Sequence, residues 1–264
     1  MQAANRLRTV LQAGRGQAFG AWQMLPGTNV ARILARSGFD WICVDTEHGN
    51  IADAQMHEAV AAIAALGVSP IVRIAANEGW MVKPDIRIEG ALDSGAHGIL
   101  VPLLDTADDA RKLVASAKFP PMGKRGFGSP FAMGPIGNVS ATEYLLHAND
   151  TLLTIVQIET KEGLENVEEI ARVPGIDVLL VGPYDLGNNI GRPVINELHP
   201  ELEAAIERIR KAAVDNGKKA GIFSPNGEMA KKFASQGFHM ISVTSDVYAL
   251  STHLEGSLTT AKAG

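Results

Sequence analysis

Short runs of β-branched and other apolar residues recur along this chain, each followed by a few polar or glycine positions and then a segment of helical period. The strand-like runs fall at Ala18–Met24, Trp41–Glu47, Pro70–Ala75 and Gly98–Leu104, then at Leu152–Glu159, Asp177–Asp185, Lys219–Ser224 and His239–Asp246. Most are apolar without strict alternation, the pattern of strands covered on both faces of a parallel sheet. Between them lie helical stripes: Met56, Val60 and Ile63; Ala107, Ala110, Leu113, Val114 and Ala117; Leu164, Val167, Ile170 and Ala171; Leu202, Ile206, Ile209 and Ala213. Thr106 stands three residues before Asp109, a capping-box spacing, and Gly217 follows the fourth stripe. Eight strands alternating with helices predict a (β/α)8 TIM barrel. A doubly wound open sheet remains the alternative, because counting strands does not show closure.

Two stretches break the rhythm. Phe119–Asp150 is rich in Gly and Pro and carries Arg125-Gly-Phe-Gly-Ser129, which reads as a flexible active-site loop rather than a phosphate cradle, since the Walker spacing is absent. At Lys83–Gly90, Pro84 and alternating charges interrupt the expected third helix. No linker composition divides the chain, so residues 1–264 form one domain.

Composition narrows the class. At 264 residues with 46% hydrophobic and 20% charged content the chain is globular and long enough for one large core. A net charge of −5 with no basic tract argues against nucleic acid as a partner. Ala59–Val68, the longest nearly apolar run, is too short to span a bilayer, and the first residues lack a secretory signal core. Cys43 is the only cysteine, so no internal disulfide forms and a cytoplasmic, reducing location is expected.

In a barrel of this kind the chemistry gathers at the strand C-termini. The second strand ends Asp45-Thr46-Glu47-His48, the third contains Arg73, and the fifth ends Gln157-Ile158-Glu159. The sixth ends Gly182-Pro183-Tyr184-Asp185, the seventh Phe223-Ser224 and the eighth Thr244-Ser245-Asp246, while the opposite ends look poor in such groups. Glu159 and Asp185 read either as helix caps or, taken together, as ligands for a hard divalent cation such as Mg²⁺. Gln157 shares a strand face with Glu159 and suits a metal-bound water or a substrate oxygen. Arg73, inside an apolar strand, needs a partner: a structural carboxylate or an anionic ligand. His48, beside Asp45 and Glu47, is a surface histidine or a general base that they orient. Lys161 lies among acids and Lys219 at the wrong end of its strand, so a Schiff-base lysine is not expected.

Together, the stretches 39–49, 70–73 and 91–98, with Val101-Pro102, Lys124-Arg125-Gly126, Val156-Gln157-Ile158-Glu159 and Val181-Gly182-Pro183-Tyr184-Asp185-Leu186, resemble the HpcH/HpaI aldolase family from about Phe19 to Asp246. The resemblance implies a class II pyruvate aldolase, a metal-dependent carbon–carbon lyase acting on 4-hydroxy-2-oxo acids, with macrophomate-synthase-like relatives. It implies Mg²⁺, Mn²⁺ or Co²⁺ on Glu159 and Asp185, Arg73 beside the pyruvate keto oxygen, and His48 in proton transfer near Asp45 and Asp93. It also implies Gln157 on bound pyruvate, and a homo-oligomer, a hexamer, that exchanges helices between neighbours, the C-terminal helix being the candidate. Tyr184 and Ser224 complete the expected substrate contacts. The chain departs from the family pattern in about six extra residues, Pro84–Glu89, and in Tyr184, which stands where a small residue is common. Oxaloacetate decarboxylation, with or without capture of the enolate, is the alternative reaction; an inactive barrel used for binding or assembly is the alternative class.

Overall fold

The eight apolar runs form eight parallel strands that close on themselves in sequence order: β1 (Ala18–Gln23), β2 (Trp41–Asp45), β3 (Ser69–Arg73), β4 (Gly98–Val101), β5 (Leu153–Ile158), β6 (Val178–Val181), β7 (Lys219–Ile222) and β8 (Met240–Ser245). Closure comes from the β8–β1 pairing, which runs from Ala18 opposite Met240 to Trp22 opposite Ser245 and shifts register between Gly20 and Ala21. The expected (β/α)8 barrel is what folds. This computed structural model describes residues 1–13, 16–75 and 84–263, of which 84–87 and 89 are described by backbone alone.

Side chains alternate along each strand. Trp22, Cys43, Ile71, Leu100, Ile155, Leu180 and Met240 meet inside the barrel, while Ile42, Val72, Ile99, Val156 and Leu179 face the helices. Both sets are buried, which explains why the strands show no polar alternation. At the N-terminal end α1 (Arg6–Gln12) drives Leu7 and Leu11 into the inner core as a plug. Asn5 ties that plug down, its Nδ2 donating to the carbonyls of His97 (2.9 Å) and Thr151 (2.8 Å). His97 lies buried beside it, Nδ1 3.1 Å from Ser69 Oγ and Nε2 2.9 Å from the Pro135 carbonyl.

The outer helices are α2 (Thr28–Arg36), α3 (Asp53–Ala64), α4 (Pro84–Asp93), α5 (Ala107–Ala117), α6 (Ala141–Thr151), α7 (Lys161–Glu165), α8 (Val167–Arg172), α9 (Pro183–Asn189), α10 (Pro200–Asp215), α11 (Gly227–Ser235) and α12 (Asp246–Lys262). The Thr106 cap forms as expected, its hydroxyl accepting from Asp109 N at 3.1 Å. Gly217 follows α10 with φ +71°, a conformation that glycine adopts without strain.

Two expectations are corrected. The stretch read as an interruption, Lys83–Gly90, holds most of α4: Pro84 occupies its first position, where a missing N–H costs nothing. Of the six extra residues, the side chains of Pro84, Asp85, Ile86, Arg87 and Glu89 lie outside the described residues. The long segment Phe119–Asp150 follows a helix and precedes β5, so it lies at the barrel's N-terminal end, away from this chain's own catalytic rim. Its last third is α6, so it is not one continuous loop. No helix among the described residues is long and apolar enough to cross a membrane.

Candidate active site

Beyond Leu153 and Ile155, the inward side of β5 continues into Gln157 and then Glu159, so strand parity carries both polar groups into the barrel mouth. Glu159 is 2% exposed. Its Oε1 accepts from Leu103 N at 2.9 Å, and its Oε2 accepts from Gln157 Nε2. Leu103 adopts φ +51°, so the donor reaching Glu159 sits on backbone that ordinary side chains avoid. The Oε1 of Gln157 is buried and has no partner among the described residues. Burial pushes the Glu159 carboxyl up to about 7, against the Leu103 and Gln157 bonds and with the nearby Asp185 charge adding to the rise. A carboxylate held so dry has reason to take a cation.

Asp185 lies exposed in the first turn of α9, whose N-cap is Gly182 and whose first residue is Pro183. A Cβ on Gly182 would sit 2.4 Å from Glu159 Oε2 and 2.9 Å from Gln157 Nε2. The glycine is therefore the gap into which the Glu159 head fits.

On the other side of the mouth, Arg73 ends β3 with its guanidinium fork on Asp45: Nε to Oδ1 at 2.9 Å and Nη2 to Oδ2 at 2.6 Å. Its Nη1 stands 3.2 Å from Glu47 Oε2, and its Cζ lies 4.5 Å from the centre of the Trp22 ring. Burial works against the charge, but the bonds and charge of Asp45 outweigh it and hold Arg73 above its ordinary value. Of five N–H donors these contacts engage three, leaving two without a partner among the described residues and suited to an oxyanion.

Asp45 is fully buried, and its Oδ1 also accepts from the backbone N–H of Glu47 (3.1 Å) and His48 (3.3 Å). It shapes the loop that carries His48 rather than bonding the imidazole. The imidazole itself is 63% exposed, with Nε2 3.9 Å from Glu47 Oε2.

The remaining arc of the mouth is aromatic. Trp22 packs edge-on against Phe223 (5.6 Å), and Phe223 against Tyr184 (6.0 Å). Sequence reasoning missed Trp22 and Phe223, although strand parity puts both on the inward face. Ser224 is fully buried, its hydroxyl donating to the Ser242 carbonyl at 2.6 Å. It locks β7 to β8.

Asp93 does not join the group. It ends α4 at the far end of the barrel and accepts from Arg125 Nη2 at 2.9 Å, while the Arg125 guanidinium stacks 4.6 Å from the Phe119 ring. Nor is the far rim poor in charge, as Arg6–Asp40 and Arg8–Asp177–Lys118 show. Lys161 is 69% exposed beside Glu165, no seat for a Schiff base.

Among the described residues no three His, Cys, Asp or Glu side chains gather as a ready metal cage. The Glu159–Asp185 pair supplies two hard oxygen donors, the number a divalent cation commonly takes from protein while keeping water or substrate oxygens.

Comparison with known proteins gives one answer about kinship. Residues 19–252 match the model of the HpcH/HpaI aldolase/citrate lyase family. The 4-hydroxy-2-oxo-heptane-1,7-dioate aldolase of Escherichia coli is 35% identical over 251 residues, covering 95% of this chain and 92% of that one. The 2-dehydro-3,6-dideoxy-6-sulfogluconate aldolase of Pseudomonas putida is 36% identical over 228 residues, or 86% of each chain. The crystal structure of an HpcH/HpaI aldolase/citrate lyase family protein from Burkholderia cenocepacia J2315 superposes with a TM-score of 0.87 at 32% identity, covering 98% of this chain and all of that one.

Proposed function

The chain belongs to the HpcH/HpaI aldolase/citrate lyase family, and from that premise we propose that it is a divalent-metal-dependent aldolase that cleaves or forms 4-hydroxy-2-oxo acids through a pyruvate enolate. The observation that carries this reading is the Glu159–Gly182–Asp185 corner, where a dry carboxylate fits a gap only glycine leaves and accepts from Gln157 Nε2, while the Oε1 of Gln157 has no partner among the described residues. The two relatives name different substrates at nearly the same identity, so neither name transfers directly.

The donor set fits a hard cation, Mg²⁺ first and Mn²⁺ or Co²⁺ next, held by Glu159 and Asp185. Such an ion supplies Lewis acidity at the keto oxygen of a 2-oxo acid. Arg73, clamped by Asp45 and Glu47, aims its two spare donors at the oxygen that gains charge as the bond breaks. Because the clamp is formed beforehand, no reorganisation is required at that moment. His48, at the open edge, takes the hydroxyl proton during cleavage and returns it during synthesis. Gln157 orients the substrate through Oε1. Ser224 and Asp93 receive no role in their own chain's site, since the first is internally bonded and the second lies at the other end of the barrel.

We read the protein as a homo-oligomer, a hexamer by family resemblance. Leu250, Leu254 and Leu258 of α12 are each more than half exposed, which supports exchange of this helix with a neighbouring copy. The test of function is pyruvate release from 4-hydroxy-2-oxo acids before and after EDTA treatment, then after metal is restored. Loss and recovery of activity are expected; activity persisting without metal would refute the mechanism.

A further inference from the structure

The aromatic arc of the mouth has no part in the chemistry above. Tyr184 is its exposed end, 42% accessible and next in the chain to Asp185. Its ring meets Phe223 at 6.0 Å and 72°, and Phe223 meets Trp22 at 5.6 Å and 67°. One apolar wall thus runs from the first turn of α9 past the end of β7 to β1, from beside the metal carboxylates to the ring on which Arg73 rests.

Among the described residues, the charges beside this wall are acidic or, like Arg73, already paired. Beyond the metal-holding pair Glu159 and Asp185, Glu47 and Asp105 stand at the rim, whereas Arg73 is clamped by Asp45 and Glu47, and Lys161 turns along its own helix toward Glu165. Among the described residues of this rim no further lysine or arginine waits for a second carboxylate.

Resting on the aldolase reading, we propose that Tyr184 determines specificity and that the aldehyde half of the substrate is an uncharged aromatic aldehyde lying on the Tyr184–Phe223 wall. In cleavage of a 4-aryl-4-hydroxy-2-oxobutanoate the C3–C4 bond breaks. The hydroxyl proton passes to the base, C4 becomes the carbonyl carbon of the aryl aldehyde, and the bond pair moves to C3 as the enolate of pyruvate. A proton then adds at C3. An aryl ring at C4 would pack edge-on against Tyr184 as Phe223 does, whereas a second carboxylate there would meet an apolar wall with no free cation among the described residues.

The experiment compares kcat/KM for pyruvate release from 4-hydroxy-2-oxo-4-phenylbutanoate and from 4-hydroxy-2-oxoheptane-1,7-dioate, using the metal-loaded full-length protein. Preference for the phenyl substrate by about tenfold or more is expected. Tyr184→Ala should erase that preference, chiefly through KM for the phenyl substrate, while Tyr184→Phe should retain it. Tyr184→Leu, which keeps apolar bulk but loses the ring, serves if the alanine variant fails to fold, and should fall between the two. Preference for the dioate, or an unchanged ratio in the alanine or leucine variant, would overturn the inference and leave the aldolase reading standing. No pyruvate from either substrate would overturn both.

Discussion

Gly182→Ala isolates the metal corner from the rest of the fold. Gly182 has φ −98° and ψ 90°, which alanine adopts without strain, so the backbone gives no reason for the variant to misfold. The new methyl carbon would lie 2.4 Å from Glu159 Oε2 and 3.1 Å from Glu159 Cβ. Ordinary contact begins near 3.4 Å, so the carboxylate must retreat by about 1 Å from the first of these (3.4 − 2.4). Retreat is opposed by the Leu103 N–H bond at 2.9 Å. A misplacement of about 1 Å typically costs on the order of 10²-fold in rate, and metal affinity should fall alongside. The assay pairs a Mn²⁺ titration with kcat for pyruvate release, and a thermal melt reports folding. Unchanged Mn²⁺ affinity in a folded variant would mean that Glu159 does not hold the metal.

Arg73→Lys keeps a charge but loses the fork on Asp45, so turnover should drop roughly 10²–10³-fold with Mn²⁺ affinity little altered. Equal losses of both would make Arg73 part of the metal site. His48→Ala should impair aldol cleavage more than oxaloacetate decarboxylation, because only cleavage needs a base for a hydroxyl proton; equal losses would make His48 an organiser of the loop. His97 titrates near 4, against 6.5 ordinarily, because burial disfavours its charged form. The unfolded chain therefore binds a proton that the folded chain refuses between these values. Stability should fall by up to about 3 kcal/mol from this group as pH drops from 6.5 to 4. His97→Gln should flatten that slope in urea unfolding series, and an undiminished slope would move the effect elsewhere.

The strands were legible because a parallel barrel buries both strand faces, and apolar runs such as Val178–Val181 have no other use. Strand parity likewise carried Gln157 and Glu159 to one face from sequence alone. Three things were hidden. Pro84 reads as a breaker mid-segment and as a helix starter at its first position, and only the true boundary distinguishes them. Ser224 looks like a rim ligand until the β7–β8 hydrogen bonds claim its hydroxyl. The Gly182 gap depends on a distance between strands that no local pattern encodes. The placement of residues 119–150 was in fact available, since a segment that follows a helix and precedes a strand must lie at the N-terminal end of the barrel.

The central claim is that Glu159 and Asp185 hold a cation that permits this barrel to form a pyruvate enolate. Exchange of the pyruvate methyl protons in deuterated water, followed by proton NMR, tests it without any aldehyde. Metal-dependent loss of the methyl signal is expected, abolished by EDTA and strongly slowed in Glu159→Ala. No exchange in the metal-loaded wild-type protein, or exchange that persists undiminished in the metal-stripped protein, would contradict it.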